Sequence, residues 1–221
     1  MNKQYEKTKQ YEIEDGRFLN PKQQEILDNY QFPKFEYYAN PKLCDTLIVD
    51  EEGKPCSCCG EIKHVLFECD GCYGDFPEGL VLCPECIASG KAGKKFNIEF
   101  GLVYEFDYDT EMHFDKIDDE EKKFKATKCI PPILTCNDME FRTHCGDYAE
   151  YMGPVYWQDI KNLGKQCIKD IKEDLKLNHN AFHLKLHDLK KINPDNEDYD
   201  IYLHLYRCKH CGKYLLQIDL D

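Results

Sequence analysis

Cysteine pairs two residues apart are the residues in this chain best suited to chemistry. Cys56-Ser57-Cys58-Cys59-Gly60 contains a CxxCG unit through Cys56 and Cys59, and Cys83-Pro84-Glu85-Cys86 supplies a second pair. The combined spacing is C-x2-C-x23-C-x2-C. Two intervening residues let a tight turn aim both sulfurs at one centre, and a glycine after the second cysteine accepts the positive φ such a turn often needs. Four thiolates close a tetrahedral zinc site with no open position, which is a structural site. Metal binding at such a site contributes on the order of 10 kcal/mol of folding free energy in small zinc modules. Cys58 is an alternative to Cys56 as the fourth ligand.

Cys208-Lys209-His210-Cys211-Gly212 repeats the CxxCG unit near the end of the chain. Two sulfurs do not satisfy zinc, so a second site must draw on other residues. Cys129, Cys136, His144 and Cys145 are the candidates, with Cys145 of His144-Cys145-Gly146-Asp147 preferred. Cys69-Asp70-Gly71-Cys72 is a further CxxC inside the first site's loop. A redox dithiol needs a cation or helix N-terminus to lower its thiol pKa. The acidic neighbours Glu68, Asp70 and Asp75 act in the opposite sense. His183 and His187 have the i, i+4 spacing of a helical metal pair but lack an HExxH glutamate, so they read as a solvated helix face. No P-loop, GxSxG elbow or GxGxxG after a strand is found, and the sequence leans away from an enzyme.

The elements that must hold these residues are short. Asn20-Pro21 opens a helix over KQQEILDNY, placing a docked helix in an N-terminal extension of residues 1–34. Residues 35–221 then form the metal-binding domain. Residues 56–86 carry seven of the fourteen cysteines and read as knuckles and short strands. Asp118 to Lys125 places acid before base, the order a helix dipole favours. Trp157 to Leu175 reads as one amphipathic helix on Ile160, Leu163, Cys167, Ile168, Ile171 and Leu175, weakened at Gly164, with Cys167 as a buried apolar residue. A further helix is expected around 181–191. Ile201-Tyr-Leu-His-Leu-Tyr and Leu216-Gln-Ile-Asp-Leu flank the last CxxCG as a C-terminal β-hairpin. The fold class is therefore α+β: zinc-ribbon-like four-cysteine knuckles with short antiparallel strands, packed helices and the terminal hairpin.

Composition narrows the partners. The 221 residues carry 29 Lys and Arg against 42 Asp and Glu, a net charge of −13. That balance disfavours a phosphate backbone or an anionic membrane and suits a basic protein. Lys91, Lys94 and Lys95 form the only local basic patch. The polar opening MNKQYEKTKQ gives no signal-peptide core, and no stretch reaches a membrane span, so a cytoplasmic location with reduced thiols is expected.

Taken in order, several motifs resemble the CbrC family of bacterial proteins. They are Phe35-x-Tyr37 with Asn40-Pro41, CSCCG at 56–60, Leu82-Cys83-Pro84-x-Cys86-Ile87-Ala88-x-Gly90 and Lys95-Phe96. His144-Cys145-Gly146-Asp147 and Tyr206-Arg207-Cys208-x-His210-Cys211-Gly212-Lys213 complete the series. The resemblance spans about residue 35 to the C-terminus and marks Cys56, Cys59, Cys83, Cys86, Cys208 and Cys211 as family features. It implies a non-enzymatic zinc protein whose family namesake is associated with tolerance to a nuclease-type colicin, with no catalytic residues to carry over. Residues 1–34 lie outside it, Cys69 and Cys72 look like additions, and the acidic stretch 99–130 diverges. Thiol redox chemistry at Cys58, Cys69 and Cys72, or a zinc-ribbon nucleic-acid module, are the alternatives.

Overall fold

The computed structural model describes residues 12–13, 17–103, 114–135, 141–178, 189 and 201–220. Its described residues fall into two compact units: those of Lys9–Val103 with Asp119–Thr135, and those of Tyr104–Asp118 with Cys136–Asp221.

The first unit opens with a two-stranded pair, β1 (Glu12–Ile13) and β2 (Arg17–Phe18), followed by helix α1 (Pro21–Asn29). Asn20 caps α1: its side chain accepts from the Lys22 and Gln23 N–H groups, and the Gln23 side chain accepts from the Asn20 N–H. This reciprocal box satisfies donors a helix start would otherwise leave unpaired. Leu27 is buried and Gln23 donates to the Val49 carbonyl at 2.8 Å, so α1 lies on the adjoining strand. That strand, β3 (Leu47–Pro55), pairs with β4 (Ile62–Glu68), which pairs with β5 (Val81–Leu82), all antiparallel. A bulge between Val49 and Lys54 shifts the β3–β4 register. Helices α2 (Pro84–Ala88), α3 (Lys91–Phe96) and α4 (Glu120–Lys128) complete the unit around Tyr37, Leu66, Phe67, Leu82, Ile87, Ile98 and Phe100.

The 56–86 segment, expected to hold only knuckles and short strands, thus also contains a helix. Pro84 occupies its first turn, where a missing N–H costs nothing. Asp119 caps α4, with acids in the first turn and lysines in the last, as the charge order of the sequence implies.

The second unit begins with the tight hairpin β6 (Thr143–His144) and β7 (Asp147–Tyr148) and continues into β8 (Glu150–Pro154). Helices α5 (Trp157–Asn162) and α6 (Lys165–Leu177) replace the single helix expected over 157–175. Gly164 takes φ 97, a conformation that L side chains resist, and separates them. Cys167 is fully buried among the apolar positions of α6. The hairpin of β9 (Ile201–Arg207) and β10 (Tyr214–Leu220) is present, and β8 joins it in a three-stranded sheet ordered β10-β9-β8. The helix expected around 181–191 lies outside the described residues except for Leu189, which is helical.

Alternation along β9 and β10 suggests one wet face, yet His204, Tyr206, Gln217 and Asp219 are buried alongside Leu203, Leu205, Leu216 and Ile218. Both faces of the hairpin are therefore covered over Leu203–Tyr206 and Leu215–Asp219, while Tyr202 is exposed. Tyr151 Oη and His204 Nδ1 lie 2.8 Å apart. Burial lowers the His204 pKa to about 4 against the opposing pull of Asp219, so this imidazole is neutral near pH 7.

Candidate metal centres

Among the described residues, two groups of side chains bring four ligand atoms within 4.8 Å of one another: Cys56, Cys59, Cys83 and Cys86 in the first unit, and His144, Cys145, Cys208 and Cys211 in the second. Each group can hold a metal ion.

The first centre joins a knuckle to a helix start. The Cys56 N–H donates to the Glu61 carbonyl at 2.9 Å and the Gly60 N–H to the Cys56 carbonyl at 2.8 Å. Gly60 takes φ 77, closing the turn that turns both knuckle sulfurs to one side. From the other side, Cys83 precedes the first residue of α2 and Cys86 lies one turn on, so Pro84 sets the angle between them. The Cys83 N–H also donates to the Cys56 sulfur at 3.3 Å, and the Cys59 and Cys83 sulfurs lie 4.0 Å apart. The knuckle is held in place by β5, through Ser57 N–H to the Val81 carbonyl at 2.9 Å. Lys95 Nζ donates to the Ser57 and Cys58 carbonyls at 3.0 and 2.7 Å.

Electrostatics within the cluster are divided. Burial works to raise the Cys56 thiol, but N–H donors from Cys59, Cys83 and Cys58 prevail and bring it down to about 7. Burial pushes Cys83 up to about 12 and Cys86 higher still. One thiolate thus forms readily while its neighbours resist crowding more negative charge beside it. A cation removes that conflict.

The second centre reproduces the knuckle with a different partner. Cys208 N–H donates to the Lys213 carbonyl at 2.8 Å and Gly212 N–H to the Cys208 carbonyl at 3.0 Å, with Gly212 at φ 75. These are the bonds of the Cys56 knuckle, residue for residue. Opposite lies the β6–β7 turn, where Cys145 at φ 58 and Gly146 at φ 69 give the two positive φ values of a type I′ hairpin. The turn places His144 Nδ1 at 3.1 Å from the Cys145 sulfur and 3.5 Å from the Cys211 sulfur. The Lys213 N–H leads the interactions that lower the Cys211 thiol pKa.

Residues behind the ligands fix this arrangement. Arg142, only 1% exposed, makes a bidentate pair with Asp174 of α6 at 3.1 and 2.8 Å and donates to the Leu216 carbonyl of β10. Asp174 also accepts from the Leu216 N–H at 2.8 Å. The residues before His144 are thereby clamped to both helix and sheet. Asp115 accepts from the Gly146 N–H at 2.8 Å. Sequence reasoning missed these supports, since charged residues far apart in sequence carry no pairing signal.

The structure groups the candidate side chains as follows. Cys56, not Cys58, belongs to the first group. Cys145 and His144 face the terminal knuckle, so His144, weighed among four candidates, belongs to the second group. Cys129 is buried in the first unit and is not one of that group. Cys136, His183 and His187 lie outside the described residues. Cys69 is buried, and a hydrogen bond to its thiol followed by burial raises the Cys72 pKa strongly. That is the reverse of what a reactive dithiol needs. Of the three lysines in the basic patch, Lys95 is committed to the knuckle carbonyls and Lys94 lies 4.8 Å over the Phe124 ring.

Among the described residues no helix is long and apolar enough to cross a membrane. Residues 32–220, which contain both ligand groups, match the family described as "Uncharacterised protein family (UPF0167)". Similar proteins include UPF0167 protein Mb2317 of Mycobacterium bovis and UPF0167 protein MT2352 of Mycobacterium tuberculosis. Each is 25% identical over 193 residues, covering 86% of this chain and 94% of the relative. No solved structure matches the chain.

Proposed function

This chain belongs to the UPF0167 family, and we propose that it is a non-enzymatic protein whose two units are each stabilised by one zinc ion. Cys56, Cys59, Cys83 and Cys86 hold the first ion; His144, Cys145, Cys208 and Cys211 hold the second. The carrying observation is that each group offers a complete four-atom donor set of the type that zinc selects, three or four thiolates with at most one imidazole.

Distances support zinc. A tetrahedron with Zn–S near 2.3 Å has S···S edges of about 3.8 Å, and with Zn–N near 2.05 Å it has N···S edges of about 3.6 Å. The Cys59–Cys83 separation of 4.0 Å and the His144–Cys211 separation of 3.5 Å are close to those values. The His144–Cys145 separation of 3.1 Å is shorter, so the Cys145 turn must open slightly around the ion. With four protein ligands each site is closed to substrate, so the ion supplies cross-linking and not Lewis-acid catalysis. His144 is the nitrogen ligand through Nδ1.

The resemblance to the CbrC family extends the proposal to biological role: protection against a nuclease-type bacteriocin or a related stress, through binding of a basic protein. The net charge of −13 supports a basic partner, because opposite charge accelerates encounter. The test is binding of the full zinc-loaded chain to the nuclease domain of such a bacteriocin at low and physiological salt, with survival of sensitive cells expressing the chain. Saturable binding that weakens with salt, together with improved survival, is expected. No binding at low salt and no protection would overturn the role while leaving the zinc assignment intact.

A further inference from the structure

The two centres differ in exposure far more than in chemistry. Cys56, Cys83 and Cys86 are at most 5% exposed and Cys59 is half-buried, so the first centre has no pair of exposed sulfurs. In the second, Cys145 and Cys211 are both exposed and only Cys208, at 2%, is buried. A cleft of about 360 Å³, lined by Asp115, Arg142, Lys213 and Leu177, opens directly on His144 and Cys145.

Resting on the zinc reading above, we infer that Cys145 and Cys211 are an oxidative modification site: a peroxide converts them to a disulfide and the second centre releases its zinc, while the first keeps its own. Zinc coordination deprotonates thiols outright, so the metal gives both centres the same thiolate character. Oxidation susceptibility follows thiolate character and access, and with the first equalised, access decides.

The chemistry balances. One thiolate attacks a peroxide oxygen, the O–O bond breaks, and hydroxide leaves as water after taking a proton, giving a sulfenic acid. The second thiolate attacks that sulfur, forms the S–S bond and displaces a second hydroxide, which is also protonated. Two thiolates, one hydrogen peroxide and two protons yield one disulfide and two waters; sulfur loses two electrons, peroxide gains them, and zinc leaves as Zn²⁺. The sulfurs start within 4.8 Å of each other and must close to about 2.05 Å. Cys145 sits in the β6–β7 turn and Cys211 in the β9–β10 turn, so that closure moves surface loops and not core. In the first centre Cys83 and Cys86 are held by buried α2, which resists the same movement.

The experiment treats the full-length, reduced, zinc-loaded protein with a few equivalents of hydrogen peroxide. Released zinc is followed with a colorimetric chelator, retained zinc by native mass spectrometry and disulfides by peptide mapping. The expected result is early loss of one zinc per chain with a Cys145–Cys211 disulfide. The zinc of the first centre should be retained at least tenfold longer, and dithiothreitol plus zinc should restore the starting mass. Release of both ions at one rate, or a first disulfide among Cys56, Cys59, Cys83 and Cys86 or between Cys69 and Cys72, overturns the inference and leaves the zinc reading standing. An untreated protein without zinc at the second centre overturns both.

Discussion

His210 Nε2 lies 3.0 Å from Asp147 Oδ2, across the gap between the two halves of the second centre. Neither residue is a ligand, yet one follows the β6–β7 turn that carries His144 and Cys145, and the other sits inside the Cys208–Cys211 knuckle. Asp147 is buried, also accepts from the Tyr148 N–H at 2.9 Å and has Lys209 Nζ at 3.9 Å. It is the hinge pin on which the two ligand pairs meet.

Asp147→Ala is therefore expected to lower zinc affinity at the second centre by less than the about tenfold to hundredfold lost when a group bonded directly to a ligand is removed, because Asp147 holds His210, which lies between two ligands. The first centre should be unaffected. Chelator competition on the full chain checks both, and an unchanged second-site affinity would show that the ligands position themselves.

The Arg142–Asp174 pair makes a stability prediction. Both side chains are almost fully buried, so Arg142→Met strands the Asp174 carboxylate without its partner. A cost of about 3–5 kcal/mol is expected, read as a lower urea midpoint. Replacing both, with Asp174→Leu added, should recover part of that loss because no unpaired charge remains. A double variant no better than the single would contradict the assignment.

His204 predicts a pH dependence. Its folded pKa of about 4 lies below the ordinary value of 6.5, so the unfolded chain binds more protons between those limits. Stability at neutral pH is then lost progressively as pH falls from about 6.5 to 4, by up to about 3 kcal/mol. Metal loss in acid acts in the same direction but alike on both proteins, so the informative quantity is the difference between zinc-loaded wild type and zinc-loaded His204→Gln. That difference should vary with pH inside this window and be flat above pH 7. A difference independent of pH throughout would refute a buried neutral imidazole.

Ligand choice within the cysteine-rich segment is testable by exchange. Cys58→Ala and Cys129→Ala should each leave two zinc ions per chain, whereas Cys56→Ala should release the first. The reverse pattern for Cys56 and Cys58 would mean that Cys58, two residues later, is the knuckle's first ligand.

What the sequence conveys here is local. The CxxCG units at 56–60 and 208–212 are legible because five consecutive residues contain the whole turn, glycine included. The terminal hairpin is legible for the same reason. Of the residues that complete the second centre, Cys145 stands out in its HCGD run, but His144 does not stand apart from Cys129 and Cys136, because it reaches the Cys208 knuckle through the Arg142 clamp and the strand pairing of β8 with β9. Gly164 was visible as a weak point, but only its φ of 97 shows that the helix ends there. Burial of His204, Gln217 and Asp219 is illegible for a further reason: polar alternation reads as a solvated face unless the covering layer is known.

The most direct test of two structural zinc centres is native mass spectrometry of the full chain, purified reduced and metal-replete, with free thiols counted before and after denaturation. The account predicts two zinc ions per chain. It also predicts seven of the fourteen thiols shielded in the native protein beyond burial alone, those of the seven cysteine ligands, and their release on chelation. Zinc-free protein that remains folded, with thiols that oxidise readily in pairs, would contradict it.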